Sequence, residues 1–241
     1  MTFQGKAGQG KAGRERIMAK VRAGVAHGSP VINEGTEAER RATVAARLAA
    51  PRRHLVPERV AGKSPLELAA VLQRWIEMAG GELTTVAADA ELPAAISNFL
   101  RRHNLPQRVR LGADPRLAAL PWPSSAQLEI AHGPAQRTDT TGVTHALAAV
   151  AETGTLVVAS GADNPVTLSF LPENNVVVVR RGDIVGPLED AVARLRGSGS
   201  ATGAMPRTLN LISGPSRSAD IGGIPVLGAH GPKRLCVIVV G

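Results

Sequence analysis

Aromatic side chains are almost missing from this chain: its 241 residues include three Phe, two Trp and no Tyr. An aromatic platform for stacking bases or sugars is therefore not the expected mode of recognition, and the core has to be aliphatic. Cysteine is scarcer still, with Cys236 alone. One thiol cannot close an internal disulfide, and it cannot hold an iron–sulfur cluster, which normally takes four ligands. Any redox metal is expected in another chain. Cys236 lies inside Leu235-Cys236-Val237-Ile238-Val239-Val240, which reads as a small buried hydrophobe rather than a reactive thiol. No unbroken apolar run is longer than the six residues from Leu235 to Val240, whereas a membrane span needs about 20. The opening Met1-Thr2-Phe3-Gln4-Gly5-Lys6 has no apolar signal core. A soluble, cytoplasmic protein without a membrane span is expected.

What the chain does have is charge at one end. Residues 1–60 hold twelve Lys/Arg against five Asp/Glu, and residues 61–241 hold sixteen against fifteen, so most of the +8 sits in an N-terminal arm. The expected organisation is a basic arm over residues 1–61, with a flexible leader and helices, followed by one α/β domain over 62–241. A basic arm suits nucleic acid or an acidic partner, but no recognised nucleic-acid motif accompanies it, so a solubilising helix is the reading preferred. Gly5 to Gly13 (Gly-Lys-Ala-Gly-Gln-Gly-Lys-Ala-Gly) nearly matches two phosphate-binding patterns. Ala12 stands where a P-loop needs a hydroxyl, and no strand is predicted before it, so the segment reads as a leader instead.

Further on, helical and strand patterns alternate. Helices are predicted over Arg14 to Gly24, Glu37 to Ala49, Ser64 to Gly80 (opened by the capping box Ser64-Pro65-Leu66-Glu67), and Glu91 to His103. A run of small residues predicts another from about Thr144 to Glu152, and Pro187 to Gly197 a last one. Strands are predicted over Leu83 to Ala87, Arg108 to Gly112, Gln127 to Ala131, Thr155 to Ala159, Asn175 to Arg180, Thr208 to Ile212 and Leu235 to Val240. This order implies an α/β fold of three layers, α/β/α, with a mostly parallel sheet. The valine runs, lacking polar alternation, suit strands buried on both faces.

Two segments carry the candidate site. In Glu152-Thr153-Gly154-Thr155 the carboxylate is expected at a helix C-terminus, either as a general base or nucleophile or as a structural acid, paired with an arginine such as Arg137 or Arg217 or bonded to backbone amides. Ser213 to Asp220 offers hydroxyls on Ser213, Ser216 and Ser218, close backbone approach at Gly214, and the guanidinium fork of Arg217, suited to a small anionic ligand. The alternative is a local Arg217–Asp220 pair tying down a loop. Both segments adjoin strands and are expected to meet at the carboxyl edge of the sheet. His230, in Gly228-Ala229-His230-Gly231-Pro232, is either an acid/base group or a turn histidine. Asp139-Thr140-Thr141-Gly142 offers an anion hydroxyls, or caps the helix predicted after it. His145 has no second ligand at a metal-binding spacing, and no metal site is predicted.

The stretches Ala151 to Val158, Ile212 to Ile221 and Leu227 to Pro232 closely resemble the lactate utilisation protein C family, whose shared module is the LUD domain. The resemblance is strong over Arg137 to Gly241 and weaker over Arg14 to Gln136. It departs from the family pattern at Gly222, where family members usually carry an acid. The resemblance implies a layered fold similar to ribose-5-phosphate isomerase, glucosamine-6-phosphate deaminase and coenzyme A transferases. It also implies a non-redox subunit of an L-lactate-oxidising system, working with cysteine-rich, iron–sulfur-carrying partner subunits. The alternative is a stand-alone enzyme of the isomerase or coenzyme A transferase type using Glu152; a third, weaker reading is a regulator whose basic arm touches nucleic acid.

Overall fold

Val176 to Val179 and Val237 to Val240 contain no polar residue because both faces of their strands are covered. In the computed structural model, which describes residues 7–26, 36–51, 55–122, 128–197, 205–218 and 226–241, they form the centre of a six-stranded sheet. The elements in chain order are α1 (Ala7–Ala26), α2 (Glu37–Ala49), α3 (Pro65–Met78), β1 (Glu82–Val86), α4 (Leu92–Arg102), β2 (Arg108–Leu111), α5 (Pro115–Ala118), β3 (Glu129–His132), β4 (Thr141–His145), β5 (Ala148–Val150) and β6 (Thr155–Ala159). They continue with α6 (Thr167–Phe170), β7 (Asn174–Arg180), β8 (Ile184–Val185), α7 (Leu188–Gly197), β9 (Leu209–Ile212), β10 (Arg217–Ser218), β11 (Val226–Leu227) and β12 (Arg234–Val240). The sheet runs β1-β12-β7-β4-β2-β3, and every pairing in it is parallel.

Alternate residues of the central strands feed two cores. Val176, Val178, Cys236, Ile238 and Val240 face α4 and α5, packing with Ile96, Phe99, Leu100 and Leu117. Val177, Val179, Val237 and Val239 face α3, packing with Leu72 and Ile76, and also meet Ala149, Leu156 and Val158 of a second sheet. Leu72, Ile76, Ile96 and Leu100 are fully buried, each contributing about 1.5–3 kcal/mol. The capping box predicted for α3 is present: Ser64 Oγ accepts from the Glu67 amide, and Glu67 Oε2 accepts from Ser64 N at 2.8 Å, a device that stabilises the helix by about 1 kcal/mol. Cys236 is buried, and burial pushes its thiol up to about 12, so it packs as a hydrophobe.

The helix expected over Thr144 to Glu152 is not there. Thr144 and His145 end β4, and Ala148 to Val150 form β5, which pairs antiparallel with β6 and parallel with β8. With β9 added, these make a four-stranded sheet in the order β8-β5-β6-β9. Ala146, Ala148, Ala149 and Ala151 are each 0% exposed. Their small side chains let this second sheet lie against α3 and the parallel sheet on one side and α7 on the other. Tertiary burial thus overrides the helix preference of alanine, and periodicity alone does not separate a short buried strand from a helix. One outer layer is therefore partly a sheet.

The chain divides into two units, Met1–His54 and Leu55–Gly241. The division precedes residue 61 because Val60 is buried in the core beside Leu68 and Leu72. In the first unit, α1 takes in Gly8, Gly10 and Gly13, and residues 1–6 lie outside the described residues. Helix α2 has its own capping box, between Thr36 and Glu39. Among the described residues no helix is long and apolar enough to cross a membrane.

Candidate functional site

The second sheet decides where the predicted loops go. Strand β9 pairs antiparallel with β6, and after Ile212 the chain leaves that sheet as Ser213-Gly214-Pro215-Ser216. Gly214 adopts φ +152, and a Cβ there would fall 2.8 Å from the Ala79 Cβ; only glycine lets the loop pass so close to the end of α3. The loop then forms the small hairpin β10–β11. Two bonds hold it against the segment that enters β12: the Ser216 amide donates to the Pro232 carbonyl at 2.8 Å, and the His230 amide donates to Ser216 Oγ at 3.2 Å.

These segments enclose a cavity of about 250 Å³ lined by Ser213, Gly214, Ser216, Arg217, His230 and Gly231, together with Ser169, Phe170, Asn175 and Leu235. Arg217 is exposed, and a Cβ on Gly80 would fall 2.1 Å from its Nη2, so the guanidinium lies across that glycine. At the cavity's inner wall, Asn175 is 0% exposed. Its Nδ2 donates to the Ser169 carbonyl at 3.3 Å, and its Oδ1 accepts from Thr144 Oγ1 at 3.4 Å. Ser169 Oγ is buried without a hydrogen-bond partner among the described residues, which leaves one polar group on this wall unsatisfied.

The cavity opens at the amino edge of the parallel sheet, not the carboxyl edge. Asn175 and Leu235 are the second residues of β7 and β12, which run away from it. The carboxyl-edge expectation treated the predicted strands Thr155 to Ala159 and Thr208 to Ile212 as part of the parallel sheet. They belong to the antiparallel part of the second sheet, where the parallel-sheet rule does not apply.

Five predicted residues (Ser213, Gly214, Ser216, Arg217 and His230) share this one cavity. Thr155 reaches it through its hydroxyl, 2.7 Å from Ser213 Oγ, and Thr153 joins one step further out, 2.7 Å from Thr155 Oγ1. Gly154 serves packing: at φ +66, its Cβ would fall 2.6 Å from Trp75 Cβ. Glu152 does not line the cavity. It lies in the β5–β6 turn rather than at a helix end, 3.5 Å from Arg59 Nη2, and Arg59 Nε also donates to its carbonyl at 3.1 Å. Its partner is thus neither Arg137 nor Arg217. Asp220 and Gly222 lie outside the described residues. Ser169 and Asn175 were missed; the polar pair Asn174-Asn175 ahead of four valines was the available signal.

The described lining offers hydroxyls, amides, one guanidinium and one imidazole, and contains no carboxylate or thiol. Donors of this kind suit an oxygen-rich anion, and among the described lining residues no nucleophile is paired with a base. Among the described residues no three His, Cys, Asp or Glu side chains gather where they could hold a metal ion.

Comparison with known proteins agrees with this architecture. The model of the LUD domain family matches residues 73–240. Lactate utilization protein C of Deinococcus radiodurans is 31% identical over 191 residues, covering 74% of this chain and 83% of that protein. Lactate utilization protein C of Halalkalibacterium halodurans is 36% identical over 99 residues, 41% of this chain and 43% of that protein; the match spans under half of that relative's length. The crystal structure of a DUF162 family protein from Deinococcus radiodurans superposes with a TM-score of 0.56 at 26% identity, covering 74% of this chain and 99% of that one.

Proposed function

The chain belongs to the LUD domain family, and from that premise we propose that it serves lactate utilisation as a non-redox, ligand-binding subunit. The observation that carries this reading is the convergence of Ser213, Ser216, Arg217 and His230 on one cavity, whose donors suit a small carboxylate. The relatives named for lactate utilisation support the biological setting. With one buried thiol, the chain has no set of cysteine ligands for a cluster. Electron transfer therefore falls to separate cysteine-rich iron–sulfur partners, in the cytoplasm.

The alternative, an isomerase or coenzyme A transferase-type enzyme, needs Glu152 free to reach a ligand. Its engagement by Arg59 favours the subunit reading. The test is lactate-dependent growth of a strain lacking this gene, complemented with the wild type, Arg217→Lys or Arg217→Ala, with co-purification of partners in parallel. Reduced growth with both variants supports the reading. Full growth and intact complexes with both would remove the cavity from the function.

A further inference from the structure

We propose that the carboxyl edge of the parallel sheet holds a second site, which binds a small oxyanion between Arg116 and Arg194 at the mouth of β2 and β4. The topology marks this place. Strand β4 lies beside β2, yet the chain leaves β2 outward to the edge strand β3, whereas it leaves β4 in the opposite direction, toward β7. Adjacent parallel strands whose connections diverge open a crevice beyond their carboxyl ends, where ligands bind in open α/β sheets.

A cavity of about 400 Å³ lies here, lined by Arg116 and Leu147 from the segments that follow β2 and β4, and by Asp183, Arg194 and Gly197 from those that follow β7. Both arginines are held from behind. Arg116 Nε and Nη2 donate to the two oxygens of Asp114 at 2.9 and 2.6 Å, and that carboxylate is 2% exposed. Arg194 donates to Asp183 and to the Gly182 carbonyl. Each arrangement uses two of the five N–H donors of a guanidinium. The rest remain on a fork already fixed in place, which lowers the ordering cost of binding an anion.

A second observation points the same way. His145, the last residue of β4, is 4% exposed, and both its ring nitrogens are buried without a partner. It lies within electrostatic reach of Arg116, Asp114, Asp183 and Arg180. A buried imidazole with two unsatisfied nitrogens is costly, and its position two residues before Leu147 makes it a reporter for charge arriving in the cavity. The loop above is packed to contact: a Cβ on Gly112 would fall 1.8 Å from the Asp163 carbonyl oxygen, and Asn164 Nδ2 donates to the His145 carbonyl at 3.2 Å.

The experiment titrates the full-length chain with inorganic phosphate and, separately, with acetate. It follows the His145 ring resonances, assigned by their loss in His145→Gln. A saturable shift with either anion is expected, weakened about tenfold or more in Arg194→Met and in Arg116→Lys, as loss of a charge-assisted or two-pronged contact implies. Arg217→Ala should leave it unchanged, which separates this site from the amino-edge cavity. Saturation by phosphate alone assigns a phosphate ligand, and saturation by acetate alone a carboxylate. Arg194 is part-exposed, so Arg194→Met decides the matter even if Arg116→Lys, with buried Asp114 beneath it, fails to fold. No saturable shift with either anion, or a shift that survives Arg194→Met, overturns the proposal.

Discussion

The two edges of the parallel sheet are built on opposite plans. At the amino edge, hydroxyls and amides (Ser169, Asn175, Ser213, Ser216) surround a cavity in which Arg217 is the only Arg or Lys among the described lining residues, and it carries no carboxylate. At the carboxyl edge the charges come yoked, Arg116 to Asp114 and Arg194 to Asp183, and the His145 imidazole beside them is buried. An exposed arginine beside neutral donors, with no carboxylate partner among the described lining residues, can move toward a ligand. Yoked arginines are fixed before a ligand arrives, and their carboxylates cannot lose them cheaply. The amino edge should therefore tolerate substitution and lose binding, whereas the carboxyl edge should lose stability first.

The largest contrast is expected between two glycines. Gly112→Ala places a Cβ 1.8 Å from the Asp163 carbonyl oxygen, a main-chain collision that should cost about 3 kcal/mol or more. Gly214→Ala meets only the Ala79 Cβ, at 2.8 Å, though with the φ of +152, and should cost about 2 kcal/mol. Urea unfolding of both variants decides the order, and equal losses would break the contrast.

A pH dependence comes next. Burial, with the Arg116 charge adding to it, lowers His145 to about 4, below its unfolded value of about 6.5. As pH falls the unfolded chain takes up the proton first, so this contribution is intact above about pH 6.5 and drains away toward pH 4. Between pH 7 and pH 5 the loss should be about 2 kcal/mol, and it should vanish from the pH slope of His145→Gln. Burial pushes the Asp114 carboxyl up, but hydrogen bonds from Arg116 more than offset this and hold it below the usual carboxylate range. Asp139 behaves likewise: burial raises it, while the Gln136 amide and Arg110 lower it further. Both carboxylates sustain stability above about pH 4 and lose it only below. A slope between pH 7 and pH 5 that survives His145→Gln would assign it to another group.

At the amino edge, Arg217→Lys keeps the charge and loses the fork. It should weaken ligand-dependent growth while unfolding midpoints stay within about 0.5 kcal/mol of wild type. The smallest effect belongs to Glu152→Gln. Its 3.5 Å pair with half-exposed Arg59 is worth a few tenths of a kcal/mol at about the lower end of surface pairs. Growth on lactate should persist, and a collapse of activity without loss of partners would restore Glu152 as a chemical group.

Much of this was legible before the fold was known. The capping box at Ser64, the extent of α2 and the two-faced valine strands follow from local patterns, because each depends on neighbours a few residues away, whereas the approach of the His230 segment to Ser216 spans 14 residues and came only with the fold. Glu152 was misread as a helix end because Ala146 to Ala151 carries no signal separating a buried strand from a helix. Its partner Arg59 stands 93 residues earlier, and nothing in either neighbourhood announces the other. Asn175 was missed because an amide buried at a strand's amino end looks, in sequence, like a polar strand boundary.

Composition and spacing by themselves determined that this chain builds an aliphatic, parallel-sheet α/β body and that it has too few thiols to ligate an iron–sulfur cluster. These are properties of side-chain chemistry and of periods of two and 3.6 residues, which survive any arrangement of the elements. Only the tertiary structure decided that β5, β6 and β9 form a second sheet, that the loops close a cavity at the amino edge, and that the paired arginines gather at the other. Those outcomes depend on which distant surfaces bury each other, and burial is a property of the assembled layers rather than of any segment.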